Sequence, residues 1–232
     1  MSPTTVFFDW GGTLAQSPDE FVHPWLVWSG ALAHRGSAVS ESEIRSALEA
    51  ADRAVRHQIY AYLGRSDEYW RIYDRHVMDA LHIASRRQEL EESVQEVFDD
   101  PSLVRLFPES RSVLTTLRTK GYRTGLISNH HDGLRRIVEY LGMDECLDSI
   151  TYSQEAGAEK PDPAVFSLAL RRAGCDPSEA FHVGDSIEAD VEGARRSGIS
   201  PVWLNRRKID RSPGCPILSS LDELIPLIER IG

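Results

Sequence analysis

From Pro108 to Leu204 the chain alternates glycine-terminated amphipathic segments with short apolar runs, and no other feature limits its fold as strongly. A segment bearing Val113, Leu114 and Leu117 stops at Gly121, and Thr124 to Ser128 then reads as a strand. Leu134, Ile137, Val138 and Leu141 recur at helical spacing and end at Gly142. Ser149 to Tyr152 reads as a strand, and a helix runs from Pro163 to near Gly174. Ala180 to Val183 is a strand, a helix from about residue 187 ends at Gly198, and Pro201 to Leu204 is a strand again. Strands separated by helices do not pair as hairpins. They lie parallel, joined by helical crossovers, which predicts an α/β fold with a doubly wound, Rossmann-like parallel sheet. The apolar run Val6-Phe7-Phe8, ended by an acid and two glycines, is a buried strand of the same sheet.

Between that strand and the alternating region the texture is helical throughout. Ser17-Pro18-Asp19-Glu20 and Ser40-Glu41-Ser42-Glu43 both have capping-box spacing. After the second, Ile44, Leu48, Ala51, Val55, Ile59 and Tyr62 recur at three and four. A helix opened by Ser66 carries Tyr69, Tyr73, Val77 and Leu81 on one face, and another covers roughly 86 to 98. The expected organisation is a core of residues 1–16 and 100–232 with a helical domain, 17–99, inserted after the first strand. The aromatics Trp25, Trp28, Tyr62, Tyr69, Trp70 and Tyr73 are expected chiefly in the core of that bundle, with one or two left to shape a substrate pocket.

Composition narrows the function class. A formal net charge of -10 supplies no basic excess for phosphate backbones, so nucleic acid is not an expected partner. Cys146, Cys175 and Cys215 are scattered without ligand-like spacing, which argues against a disulfide framework or a zinc site. No apolar run approaches membrane-helix length and no signal-peptide pattern is present, so a cytoplasmic protein without membrane association is expected. Oligomeric state is not legible.

In an open α/β sheet, ligands bind at the carboxyl ends of the strands. The residues there are Asp9 after the first strand, Ser128-Asn129 after the second, and Gly184-Asp185-Ser186 after the fourth, with Asp190 further on; Lys160 lies in the loop "GAEKPDP". Carboxylates, a hydroxyl and a lysine converging on one edge suit a hard divalent cation facing a phosphoryl group.

The ordered segments "DWGGTL", "LISN", "EKPDP" and "HVGDSIEAD" resemble the four motifs of the haloacid-dehalogenase-like hydrolases, most closely the phosphoglycolate-phosphatase-like members with a helical cap after the first motif. The resemblance implies a phosphohydrolase acting on a small phosphorylated metabolite through an aspartyl-phosphate, with Mg2+ as cofactor. Carried over by position, Asp9 is the nucleophile and a metal ligand, and the Gly11 backbone carbonyl a second ligand. Thr13 supports the loop, Ser128 and the Asn129 amide hold phosphoryl oxygens, and Lys160 neutralises nucleophile and phosphate. Asp185 binds the metal directly, and Asp190 is a further ligand or an orienter of its water.

The chain departs from those phosphatases at Gly11, where a second aspartate normally protonates the leaving group and then activates water. General acid–base assistance is typically worth about 10²–10⁴-fold, so alkyl esters should suffer most. Phosphonate-hydrolysing relatives lack this acid but use a cap lysine; here the first lysine is Lys120, which excludes that chemistry. Asp19, His23, His130 and His131 are the candidates for a replacement acid or for lining the pocket. His182 reads as a packed, hydrogen-bonded strand residue. The alternatives are a phosphate-binding or regulatory protein that has lost efficient turnover and, as a minor one, a haloacid dehalogenase.

Overall fold

A computed structural model describes residues 4–16, 24–62 and 65–231. The capping box expected at Ser17 to Glu20, together with Asp19 and His23, lies outside the described residues. The chain divides into two compact units, residues 1–16 with 105–232 and residues 17–104.

The first unit begins with β1 (Thr5–Phe8), and the second contributes α1 (Pro24–Ala33), α2 (Glu41–Val55), α3 (Ser66–Ala80) and α4 (Arg87–Phe98). The first unit then continues with α5 (Ser110–Thr119), β2 (Arg123–Ser128), α6 (Gly133–Tyr140), β3 (Ser149–Tyr152), the short α7 (Ser153–Ala156) and α8 (Pro163–Ala173). β4 (Ala180–Gly184), a π-helical turn at Ile187–Val191, α9 (Glu192–Arg196), β5 (Ser200–Leu204), β6 (Ile217–Leu218) and α10 (Leu224–Ile231) complete it. The six strands form one sheet in the order β3-β2-β1-β4-β5-β6, every neighbouring pair parallel. This is the expected α/β architecture with a helical insertion after β1.

The register sets the site. Phe8 stands level with Leu126 of β2 and Val183 of β4, so Asp9, Ser128 and Asp185 leave the sheet at the same edge. The strand order reverses direction between β1 and β4, the crevice where open sheets bind ligands. Val6, Phe7 and Phe8 are all fully buried although successive side chains point to opposite faces, so both faces of β1 are covered. Phe7 packs with Ile127, Val165, Phe166 and Ala169. α5 and α10 bury Leu114, Leu117, Leu224 and Leu227.

Where the insertion leaves and re-enters, the core backbone closes on itself: the Gln16 amide donates to Arg105 O at 2.8 Å, and Phe107 to Leu14 O at 3.1 Å.

The inserted unit has its own core, including Trp28, Ile44, Ala51, Tyr69, Tyr73 and Met78. The Ser40 capping box is formed, its hydroxyl accepting from the Glu43 amide and the Glu43 side chain from the Ser40 amide. The helical stripe expected to reach Tyr62 breaks after Val55, where residues 56–62 tighten into a 3₁₀ helix. Three residues per turn rotate that tail off the 3.6-residue stripe. Of the aromatics, Trp28, Tyr69 and Tyr73 are buried, Trp25 and Tyr62 partly so, and Trp70 is 46% exposed.

Gly125 of β2 faces a close neighbour: a Cβ there would lie 2.5 Å from Ser149 Oγ and 2.9 Å from the Phe7 ring. Gly125→Ala should destabilise the protein by about 1–3 kcal/mol through overpacking, seen as a lower urea midpoint at unchanged m-value.

Candidate active site

Asp9 directly follows β1, its amide still donating to Val183 O at 2.9 Å. The loop after it turns on one carbonyl, Trp10 O, which accepts from the Leu14 and Ala15 amides at 3.0 and 2.9 Å. Gly12 completes the turn at φ +77°, a conformation that favours glycine, and its amide reaches Ala15 O at 2.7 Å. A Cβ on Gly12 would stand 2.5 Å from Asp185 Oδ2, so the loop and the β4 carboxylate pass each other where only hydrogen fits.

Lys160 is drawn into this edge. Its Nζ donates to Asp9 Oδ1 at 2.6 Å and to Asp190 Oδ1 at 2.7 Å, with only 2% of its side chain exposed. Asn129, directly after β2, fixes its backbone: Lys160 N donates to Asn129 Oδ1 at 2.7 Å and Asn129 Nδ2 to Lys160 O at 3.1 Å. The Asn129 carboxamide therefore positions the lysine. Ser128 is buried at the end of β2, and the His130 amide donates to Ser153 Oγ at 3.0 Å.

The π-helical turn after β4 presents Asp190. Its Oδ2 accepts from the Ser186 amide at 3.0 Å, and its Oδ1 also meets His182 Nε2 at 2.9 Å. A carboxylate only accepts, so His182 carries its proton on Nε2. His182 also packs edge-on against Phe166, with ring centroids 5.2 Å apart, and is a strand residue that steadies Asp190. Asp185 is held through its backbone, with Trp203 Nε1 donating to its carbonyl at 2.9 Å. The Thr13 hydroxyl is buried without a hydrogen-bond partner, so the loop is held by its backbone and not by that side chain.

The electrostatics divide the acids. Burial would raise Asp190, but Lys160 and His182 outweigh it and hold the carboxyl below its usual range. Burial raises Asp9, opposed by Lys160 and reinforced by the charge of Asp190. Asp185 is pushed up to about 7 by burial and by the charges of Asp9 and Asp190. Lys160 is raised above its usual value: burial opposes its charge, but Asp190 and Asp9 prevail.

Oxygens of Asp9, Asp185 and Asp190 lie within 4.8 Å of one another. Three carboxylates face one buried ammonium, an excess of negative charge that a divalent cation with oxygen ligands would neutralise. The residues present therefore fit a magnesium-type ion. The sequence-derived set Asp9, Lys160, Asp185 and Asp190 converges, with Asn129 bonded to the lysine backbone. Asp19 and His23 lie outside the described residues. Sequence reading missed Trp203 and Arg206, both at or just past β5; the run "NRRK" after that strand was the available signal for the latter.

A parallel sheet that gathers acids and a lysine at its switch point, with a helical insertion after β1, defines a class of hydrolase fold. The family model of haloacid dehalogenase-like hydrolases matches residues 3–198, and the chain belongs to that family. Haloacid dehalogenase-like hydrolase domain-containing protein 3 of Homo sapiens is 30% identical over 213 residues, covering 86% of this chain and 84% of that protein. Glyceraldehyde 3-phosphate phosphatase of Methanothermobacter thermautotrophicus is 38% identical over 109 residues, which is 45% of this chain and 46% of that protein. Among solved structures, a 2-haloacid dehalogenase of Pseudomonas syringae pv. Tomato DC3000 superposes with a TM-score of 0.68 at 27% identity, covering 100% of both chains. Among the described residues no helix is long and apolar enough to cross a membrane.

Removing the ammonium while leaving its carboxylates buried should cost about 3–5 kcal/mol. Lys160→Met is therefore expected to lower stability by that order in urea denaturation near neutral pH, whether or not the variant is tested for activity.

Proposed function

We propose that the protein is a magnesium-dependent phosphohydrolase acting on a small phosphorylated metabolite, with Asp9 as the nucleophile. The observation that carries this reading is the Asp9 carboxylate at the sheet's switch point, bonded to Lys160 at 2.6 Å and within 4.8 Å of Asp185 and Asp190. The likeness to glyceraldehyde 3-phosphate phosphatase, over less than half of each chain, supports the same substrate class.

In this reading Asp9, Asp185 and the Gly11 carbonyl hold the metal, which supplies charge neutralisation for the phosphoryl oxygens when bound. The Lys160 ammonium shares that work and keeps Asp9 aimed. Ser128 Oγ and the Asn129 backbone N–H hold the remaining oxygens. One Asp9 oxygen attacks phosphorus, the P–O bond to the leaving group breaks, and the leaving oxygen departs with the electron pair. Water then hydrolyses the aspartyl phosphate, returning Asp9 and releasing phosphate. Asp190 acts through Lys160: its oxygens already take the lysine, His182 and the Ser186 amide.

Gly11 brings no proton donor to the departing oxygen. Aryl and acyl phosphates leave without such help, and alkyl monoesters do not. The expected profile with magnesium is Asp9-dependent turnover of p-nitrophenyl phosphate or acetyl phosphate, abolished in Asp9→Asn and by EDTA, with alkyl monoesters slower. A chain that releases no phosphate from any of them in an Asp9-dependent way would instead be a phosphate-binding or regulatory protein.

Restoring the acid tests the same point. Gly12, not Gly11, holds the left-handed backbone, so Gly11→Asp requires no left-handed aspartate. It should raise alkyl monoester turnover by about 10²-fold, the low end of general acid–base assistance. No gain would mean that proton donation is not the deficit.

A dehalogenase reading has one observation in its favour, the 27% identity over the whole length of the Pseudomonas syringae enzyme. Chloride release from 2-chloropropionate that persists in EDTA would establish it in place of the phosphatase.

A further inference from the structure

The loop that follows Asp9 contains Gly11 and Gly12 in succession, the two residues least able to hold a backbone on their own. Its own backbone bonds to Trp10 O and Ala15 O fold it, and contacts from outside add to its stiffness. Two of its carbonyls are gripped by side chains remote in sequence. Leu14 O accepts from Ser110 Oγ at 2.7 Å, and Thr13 O accepts from Arg206 Nη2 at 2.9 Å.

Arg206 lies just beyond β5 and is fixed before it reaches the loop. Its guanidinium stacks on Phe107, with Cζ 3.6 Å from the ring centroid. Its other terminal nitrogen, Nη1, donates to Glu109 Oε1 at 2.7 Å, and Ser220 Oγ approaches the same oxygen at 3.4 Å. The side chains of Arg206 and Glu109 are 18% and 12% exposed, so the pair is largely withdrawn from competing water. Burial favours a neutral Glu109, but the Arg206 hydrogen bond and charge, together with backbone hydrogen bonds, outweigh it and hold the carboxyl below its usual range. The planar fork of arginine serves carboxylate and carbonyl at once; a lysine, with a single nitrogen, does not reproduce this.

We propose that Arg206 is a positioning residue for the nucleophile: by pinning the Thr13 carbonyl it stiffens the two-glycine loop and so fixes the Asp9 carboxylate against Lys160. The inference rests on the reading of Asp9 as nucleophile, but the pin itself is a physical claim about the loop. A small displacement of a reacting group can cost about 10²-fold in rate. Loss of the pin should therefore appear in kcat far more than in substrate binding.

The test uses the full chain with Arg206→Ala and Arg206→Lys. Amide hydrogen exchange is followed for the segment from residue 10 to 16, with β2 and β4 as internal controls. The Ala variant should exchange in the loop at least about tenfold faster while the control strands stay unchanged, as expected for local opening. Unchanged loop exchange overturns the proposal, and so does acceleration spread equally over the control strands. In parallel, p-nitrophenyl phosphate turnover with magnesium should show kcat lowered about 10- to 100-fold and KM within a factor of about three. Added guanidinium ion should restore part of the Ala variant's activity but none in Asp9→Asn. A change confined to KM, or kcat equal to the parent's, overturns the proposal. If the parent shows no Asp9-dependent turnover, the phosphatase reading fails and exchange alone decides the pin. If the Ala variant does not fold, the Lys variant carries both measurements with the same criteria.

Discussion

One ammonium group organises the acidic edge of this protein. Lys160 Nζ is shared between the residue that follows β1 and an acid from the turn after β4, and its backbone is bracketed by the residue that follows β2. Three chain segments that the sheet already brings to one edge are thereby tied at one point. Such a buried ion pair is a weak source of net stability, because desolvation opposes the Coulombic gain. Its contribution here is the fixed geometry of the carboxylates. Asp190, which also takes His182 Nε2 and the Ser186 amide, is held below its usual range, whereas burial and the charges of Asp9 and Asp190 raise Asp185 against Lys160 and Arg207.

The absence of a carboxylate at Gly11 fits this electrostatic picture in one respect. A further acid beside Asp9 would add charge to an edge where three carboxylates already outnumber the single buried ammonium. On the proposed reading, the chain carries residues suited to metal and phosphate and lacks, at Gly11, one that would move a proton.

Much of this was legible in the sequence because it is local. Strand ends were marked by Asp9, Asn129 and Asp185, helix ends by Gly142 and Gly174, and the latter indeed takes the left-handed conformation that ends α8. Parallel pairing followed from alternation alone. The insertion after β1 showed as a change of period. What escaped is nonlocal or geometrically subtle. Arg206 finds Glu109 and Thr13 across 97 and 193 residues, separations that no periodicity encodes. The π-helical turn that aims Asp190 read as ordinary helix, since one extra residue per turn leaves no compositional mark. The two-residue strand β6 and the helix α10 were not anticipated, the strand because it is too short to show alternation. The 3₁₀ tail after Val55 keeps apolar residues and so mimicked continued helix.

The hydrogen bond from Gln16 to Arg105 has a wider consequence. There the chain leaving β1 and the chain returning toward α5 are hydrogen-bonded to each other, so the core segments flanking the insertion are joined directly. A change of length within the insertion would enter and leave the core at this same bonded backbone, away from the register that brings Asp9 level with the end of β4.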